Sequence, residues 1–293
     1  MLEAAFAWRR LSSANRSMDD YMPASPTIDL IALDLDGTLL APDETISPRN
    51  RRAIKDALAA GIRVVLVTGR GVDVPIKVSK ELGLNLPVIC CHGALTKDFG
   101  ANKTLEHVPV SLKYAKPMIE FAEREGLSIA IYIDEAFYRL SGSQIYMDDM
   151  RGPGWFEAPS LHELLTEAPT FLRFLGRESV DRMLREFGDL PLSFRHETWL
   201  DFVECAVLSR QASKKNALAK LCADFGVPSE RVLAVGDSRN DVPMLRWARI
   251  GVAMGNALPE VRHSVNYVTA PNDRDGVALA IERFCPPQAQ KTA

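Results

Sequence analysis

IALDLDGTLL, the run at residues 31–40, is almost wholly apolar and yet carries two aspartates, Asp34 and Asp36, one residue apart. Apolar residues that do not alternate with polar ones are typical of a strand buried on both faces of a sheet. Burying a carboxylate without a partner is costly, so such a strand has no ordinary use for two of them. We therefore interpret the run as a central strand that ends at a functional site.

Strand-like and helical segments alternate around this run. The next helical pattern, SPRNRRAIKDALAAG at 47–61, has Ser47 suited to the N-cap, Pro48 to the first turn and Gly61 to the C-terminus. Further strand-like segments are IRVVLVTGR, LPVICCHGA, RVLAVGDS and RIGVAMG. This alternation predicts an α/β fold with a doubly wound, mostly parallel sheet.

The middle of the chain has a different order of predicted elements. Paired strand patterns, such as the hairpin SIAIYID and AFYRL, stand between amphipathic helices. We expect an inserted α+β cap domain with its own antiparallel sheet, because the parallel-sheet pattern resumes after it. The predicted divisions are a flexible extension at 1–27, a discontinuous core at 28–94 and 206–285, the cap at 95–205 and a tail at 286–293. Met18 or Met22 is an alternative start.

Composition excludes some classes of function. The chain has 293 residues, a net charge of −3 and no apolar run near the length of a membrane span, so we expect neither a nucleic-acid nor a membrane partner. The five cysteines are odd in number and lack a C-x-x-C pair, which argues against disulfides and structural zinc. Free thiols in a reducing cytoplasm are the plainer interpretation.

In open α/β sheets, ligands bind beyond the carboxyl ends of the strands. The polar residues and glycines that follow the four predicted strands should therefore meet in one crevice: Asp34, Asp36, Thr68, Gly69, Arg70, His92, Gly93, Asp237, Ser238, Asn240 and Asp241. Clustered carboxylates are best explained by a hard cation, and Mg²⁺ prefers oxygen ligands and often acts with phosphate. An EF-hand loop is excluded, because Thr38 and Thr45 stand at positions where that loop needs carboxylates.

Several of these residues have simpler structural interpretations. Thr68 could cap a helix that follows the strand, and Lys214 could be a solvated lysine at a helix start. Asp241 could be an acid favoured by a helix dipole, while Arg70 and Asn240 could simply brace loops.

Four motifs together resemble a known family. DLDGT at 34–38, VTGR at 67–70, SKKNAL at 213–218 and GDSRND at 236–241 are similar, in order and approximate spacing, to those of haloacid dehalogenase-like phosphatases. The resemblance is greatest to the Cof-like subgroup, whose cap lies between the second and third motifs. NDRDGVALAI at 272–281 also resembles the end of that subgroup.

The resemblance implies a role for each matching residue. Asp34 corresponds to a nucleophile that becomes a phosphoaspartate, and Asp36 corresponds to the general acid–base. Asp34, the backbone carbonyl of Asp36, and Asp237 correspond to Mg²⁺ ligands, with Asp241 close by. Thr68, Gly69 and Lys214 correspond to groups that hold the phosphoryl oxygens, with Arg70, His92 and Asn240 in support.

Two positions depart from the family pattern: His92 stands where relatives usually have Asn, and Lys215 where they tend to have Gly. Neither departure removes an essential group. We therefore expect a Mg²⁺-dependent phosphatase of small phosphorylated metabolites, sugar phosphates first, with a cap loop at RGPGW (151–155) near the substrate. The alternatives are a phosphomutase and a non-catalytic ligand-binding module.

Overall fold

The computed structural model describes residues 27–141, 154–199 and 202–286, without side chains at 197–199 and 202. The predicted N-terminal extension, except for its last residue, and the tail, except for its first, lie outside these ranges. So do residues 151–153 of the predicted cap loop.

The described residues form fourteen strands and eight α-helices. The strands are β1 Leu30–Leu33, β2 Arg63–Leu66, β3 Val88–Cys90, β4 Leu95–Asp98, β5 Lys103–His107, β6 Ile129–Ile133, β7 Ala136–Leu140, β8 Trp155–Ala158, β9 Phe171–Leu175, β10 Leu192–Trp199, β11 Phe202–Ser209, β12 Val232–Gly236, β13 Ile250–Ala253 and β14 Tyr267–Val268. The helices are α1 Pro48–Ala59, α2 Asp73–Leu82, α3 Leu112–Glu125, α4 Arg177–Phe187, α5 Lys214–Asp224, α6 Val242–Trp247, α7 Pro259–Arg262 and α8 Gly276–Phe284.

A five-stranded parallel sheet forms the core, in the order β14-β13-β12-β1-β2. β1 is an interior strand, paired with β12 on one side and β2 on the other, and all four of its residues are buried. Beyond β2 the chain makes a short parallel contact with β3, where the Thr68 N–H donates to the Ile89 carbonyl at 2.9 Å. The predicted α/β fold with a mostly parallel sheet is confirmed.

A second sheet of six strands lies between the two halves of the parallel sheet in sequence, in the order β10-β11-β9-β6-β7-β8. The predicted hairpin is present as the antiparallel pair β6–β7. Helices α3 and α4 cover one face of this sheet and share a buried apolar cluster with it. An additional sheet domain of this kind is consistent with a cap.

A third, three-stranded antiparallel sheet joins β3, β4 and β5. β4 and β5 fall inside the range 95–205 that was predicted as cap, yet they pair with a strand that borders the parallel sheet. The boundaries of the cap therefore stay a prediction.

Local sequence signals explain where α1 begins and ends. The Ser47 hydroxyl accepts a hydrogen bond from the Asn50 N–H at 3.1 Å, Pro48 opens the helix, and Gly61 follows its end with φ +81°. All five cysteines are free, and four of them are buried. Among the described residues, no helix combines the length and the apolar character needed to cross a membrane.

Candidate active site

A buried lysine joins two carboxylates at the carboxyl end of the parallel sheet. Asp34 directly follows β1, and its Oδ1 lies 2.6 Å from Nζ of Lys214, the first residue of α5. The same ammonium lies 2.7 Å from Oδ1 of Asp241. Lys214 is only 1% exposed, so the interpretation of this residue as a solvated helix-start lysine is wrong.

The loop after β12 is organised around Asp241. The Oδ2 atom of Asp241 accepts hydrogen bonds from the backbone N–H groups of Asp237 and Ser238, at 3.1 and 2.9 Å. These bonds turn the loop so that Asp237 faces the end of β1, where Thr38 donates to its Oδ1 at 2.9 Å. Asp241 is fully buried and makes no capping bond to α6, so it acts as a loop anchor and ion-pair partner.

Two glycines permit close approaches that a side chain would block. Gly37 has φ +72°, and a Cβ there would lie 2.4 Å from Oδ2 of Asp237. Gly93 has φ +90°, and a Cβ there would lie 2.3 Å from the Ser213 carbonyl carbon, immediately before Lys214. The turn after β1 and the loop after β3 can therefore pack against the residues that carry Asp237 and Lys214.

Asp36 lies apart from the buried carboxylates. Its side chain is half exposed and is held by Arg70, whose Nε lies 2.9 Å from both carboxylate oxygens and whose Nη2 lies 2.5 Å from Oδ1. The same Nη2 also lies 2.5 Å from Glu44. Burial opposes the charge on Arg70, but hydrogen bonds and charges from Asp36 and Glu44 outweigh it and raise the pKa of Arg70.

Thr68 and Gly69 follow β2 beside these acids. Thr68 is fully buried, and its hydroxyl accepts a hydrogen bond from the Arg70 N–H at 3.1 Å. The next helix, α2, begins at Asp73 after Val72, so the interpretation of Thr68 as its N-cap is wrong. The backbone of this loop borders the crevice that contains Asp34 and Asp36.

His92 packs against the Thr68–Arg70 loop. It has φ +55°, its N–H donates to the Thr68 carbonyl at 3.0 Å, and its ring lies beside Gly69. The ring Nδ1 lies 3.2 Å from the Asn240 amide nitrogen, and Phe171 of β9 meets the ring edge to face at 6.5 Å. Burial, followed by the positive charges of Arg195, Lys214 and Arg173, holds the pKa of His92 well below its usual range.

The buried cluster carries an excess of negative charge. Burial raises the pKa of Asp34 well above its usual range, Asp241 raises it further, and Lys214 only partly offsets this. Burial and the charge of Asp241 likewise raise the pKa of Asp237 to about 6. For Lys214, burial lowers the pKa, but the charges of Asp241 and Asp34 outweigh it and the net pKa is raised. The cluster thus contains three carboxyl groups and one ammonium, and the ammonium bonds directly to two of them, Asp34 and Asp241.

This cluster suits a hard cation. Asp34, Asp237 and Asp241 each offer one carboxylate oxygen, and these atoms lie within 4.8 Å of one another. A purely oxygen donor set with surplus negative charge matches the preference of a cation such as Mg²⁺. The side chain of Asp36 is bound to Arg70 and does not belong to this cluster.

Sequence reasoning did not single out three residues that the structure places at the site. Thr38 stands inside the DLDGT motif, and its bond to Asp237 could have been suspected from that position. Tyr132 and Glu44 gave no such signal, because one lies in a cap strand and the other in a surface turn. Tyr132 accepts a hydrogen bond from the Val72 N–H at 3.1 Å, and Glu44 binds Arg70.

Comparison with known proteins agrees with the resemblance seen in the motifs. Residues 31–281 match the family model of haloacid dehalogenase-like hydrolases. The chain belongs to this family, and specifically to its Cof-like phosphatases.

Curated relatives carry the assignment to an enzyme class. The chain is 31% identical over 268 residues to the pyridoxal phosphate phosphatase YbhA of Escherichia coli (strain K12), covering 87% of this chain and 98% of the relative. It is 29% identical over 257 residues to the 5-amino-6-(5-phospho-D-ribitylamino)uracil phosphatase YcsE of Bacillus subtilis (strain 168), covering 88% and 96%. The protein is therefore a phosphoric monoester hydrolase, and the interpretation as a non-catalytic module is set aside.

A solved structure supports the same fold. A haloacid dehalogenase-like hydrolase from Bacteroides thetaiotaomicron superposes with a TM-score of 0.77 at 26% identity, covering 88% of this chain and 100% of that one.

Proposed function

We propose that the protein is a Mg²⁺-dependent phosphatase of small sugar phosphates that acts through a phosphoaspartate on Asp34. The observation that carries this proposal is the position of Asp34 at the end of β1, with Lys214 at 2.6 Å and two further carboxylates beside it. A carboxylate attacks an anionic phosphate only when the combined negative charge is neutralised. Bound Mg²⁺ would supply part of that neutralisation and orient the phosphate.

Asp34 is the proposed nucleophile. One of its oxygens attacks phosphorus while the bond from phosphorus to the leaving oxygen breaks, which leaves the phosphoryl group on Asp34. Lys214, the hydroxyl of Thr68 and the backbone of Gly69 hold the phosphoryl oxygens. Asp34, Asp237 and the backbone carbonyl of Asp36 are the proposed metal ligands, with Asp241 close by.

Asp36 is the proposed general acid and base. It gives a proton to the leaving oxygen, then takes one from the water that attacks the phosphoaspartate, and the bond from phosphorus to Asp34 breaks to release inorganic phosphate. To carry a proton, Asp36 must free one oxygen from Arg70. Glu44, which already binds the same guanidinium nitrogen at 2.5 Å, gives Arg70 an alternative partner during that exchange.

Sugar phosphates are the proposed substrates. The name of one curated relative includes a phosphorylated ribityl chain, which is a polyol phosphate. His92 and Asn240 support the phosphate-binding loop in this proposal. The five free cysteines fit a reducing compartment, and we place the enzyme in the cytoplasm.

A magnesium-dependent assay with p-nitrophenyl phosphate tests this function. We expect turnover by the wild type that EDTA abolishes and Mg²⁺ restores, and a loss of at least about a thousandfold in Asp34→Asn, which keeps the size of the side chain but not its nucleophilicity. Glu186→Gln, an exposed residue of α4, is the matched control and should retain full activity. Undiminished turnover in Asp34→Asn would refute the proposal.

A further inference from the structure

Three arginines line up across the cap sheet. Arg195 of β10 lies directly opposite Ala206 of β11, which in turn lies opposite Arg173 of β9. Arg173 lies opposite Ala130 of β6, and Ala130 lies opposite Arg139 of β7. Residues directly opposite one another in a sheet project from the same face. We call these five residues the arginine row.

The arginine row lies on the face turned away from α3 and α4. Ile131 and Leu172, which alternate with row residues along β6 and β9, belong to the apolar cluster under those helices. Row residues therefore share the opposite face with Tyr132 and Phe171, two positions further along the same strands.

That face meets the catalytic core. Tyr132 accepts a hydrogen bond from the Val72 N–H at 3.1 Å, and Phe171 packs against the ring of His92. Both Val72 and His92 follow strands that end at the crevice, so the arginine row lies on the face of the cap sheet that is turned toward the crevice.

Arg195, at one end of the row, and Arg173, in its middle, lie nearer to His92 than Arg139 does. The Nη2 atom of Arg195 donates to the Ala212 carbonyl at 3.3 Å, two residues before Lys214. Arg195 and Arg173 are also among the charges that lower the pKa of His92, behind the effect of its burial, whereas Arg139 is not. Arg173 is oriented by an ion pair with the buried carboxylate of Glu204.

The row residue between Arg195 and Arg173 is small. Arg195 and Arg173 are two strands apart, which separates their backbones by roughly 10 Å, and Ala206 is the row residue between them. Guanidinium groups match carboxylates through paired, charge-assisted hydrogen bonds. Arg173 already donates to the carboxylate of Glu204, so a singly charged carboxylate would meet less repulsion from Glu204 at this place than a phosphate dianion would.

We propose that the preferred substrates are phosphate esters of sugar acids, whose carboxylate binds to Arg195 and Arg173 of the arginine row while the phosphate lies at Asp34. This inference rests on the proposed function. It adds that the preferred leaving alcohol carries a second anionic group, which the residues of the core motifs do not bind.

Matched substrates test the requirement. 6-Phosphogluconate and sorbitol 6-phosphate are both open six-carbon chains, and they differ in the carboxylate at the far end. We expect wild-type kcat/KM to favour 6-phosphogluconate by at least about tenfold, as expected for one charge-assisted contact. Arg195→Gln should lower kcat/KM for 6-phosphogluconate by at least about tenfold more than it lowers kcat/KM for p-nitrophenyl phosphate, because p-nitrophenyl phosphate has no carboxylate.

Two further variants separate binding from folding. Arg139→Gln lies in the same row but away from His92, and it should keep the wild-type preference. Arg173→Gln combined with Glu204→Gln avoids leaving a buried carboxylate unpaired, and it should lower the preference as Arg195→Gln does. Thermal unfolding confirms that each variant is folded before its rates are compared.

Binding of gluconate, followed by calorimetry, gives a readout that needs no turnover. Tighter binding of gluconate than of sorbitol to the wild type, lost in Arg195→Gln, supports the inference. Equal kcat/KM values for the two phosphates in an active wild type, or an unchanged preference in Arg195→Gln, would overturn it. Absence of p-nitrophenyl phosphate turnover would instead refute the proposed phosphatase mechanism, and the gluconate measurement would still decide the role of the arginine row.

Discussion

The ammonium of Lys214 lies 2.6 Å from the carboxylate of Asp34, although 180 residues separate them in sequence. Both groups are buried, and Asp241 accepts from the same ammonium. Burying charges is costly unless they are paired and hydrogen-bonded. Lys214 therefore has two roles, since it holds the catalytic cluster together and supplies positive charge for the phosphate.

Replacing Lys214 separates the structural role from the catalytic one. Lys214→Met leaves buried carboxylates without their ammonium, so we expect the free energy of unfolding in EDTA to fall by about 3 kcal/mol. Mg²⁺ should restore part of this loss, because a cation replaces the missing charge, while kcat stays low. Urea unfolding with and without Mg²⁺ measures both effects. Lys215→Met is the matched control, and a similar loss in that variant would show that the position of the charge is unimportant.

The turn at Gly37 should be required for the metal site and not only for the fold. Gly37→Ala places a Cβ 2.4 Å from Asp237, whereas Gly61→Ala has the same kind of positive φ but meets nothing within 4 Å. Both variants should lose about 1 kcal/mol or more of stability from backbone strain. Only Gly37→Ala should also lose the rise in melting temperature that Mg²⁺ gives the wild type. Equal Mg²⁺ responses in the two variants would contradict the proposed role of Asp237.

His92 should make the folded protein less stable in mild acid. Its pKa is lowered by burial, so the folded state excludes a proton that the unfolded chain binds below its ordinary pKa of about 6.5. Unfolding therefore takes up a proton, and stability falls as pH decreases through that value, by at most about 1.4 kcal/mol per pH unit.

The comparison of His92→Asn with wild type isolates this effect. Urea unfolding in EDTA between pH 7 and pH 5.5 should show a smaller loss for His92→Asn than for the wild type. His263→Asn, an exposed histidine, is the control and should behave as the wild type does. Parallel pH profiles for wild type and His92→Asn would show that His92 is protonated in the folded protein.

The sequence was most informative where the chain follows local rules. Apolar runs around Asp34 and Asp237 predicted the buried parallel strands, and Ser47, Pro48 and Gly61 predicted the limits of α1. The strand ends predicted that Asp34, Asp237 and Asp241 would converge, because the ends of parallel strands meet at one edge of a sheet, and the family resemblance implied that Lys214 joins them.

Contacts set by tertiary packing could not be read in this way. The hydrogen-bonded ion pair of Arg70 with Asp36 joins the loops after two neighbouring strands. Nothing in the sequence distinguishes this pair from one that merely braces the loops. The arginine row depends on the register of five antiparallel strands, and a shift of one residue would turn every side chain of a strand to the other face. The pairing of β4 and β5 with β3 is also a register outcome that composition does not reveal.

Trapping the phosphorylated enzyme tests the central claim most directly. Wild-type protein with Mg²⁺ and p-nitrophenyl phosphate is quenched in acid within one turnover, digested and mapped by mass spectrometry. We predict one added phosphoryl group on the peptide that contains Asp34, labile to hydroxylamine as an acyl phosphate is, and none in Asp34→Asn. A phosphoryl group on any other residue, or full turnover without a labelled Asp34, would contradict the account.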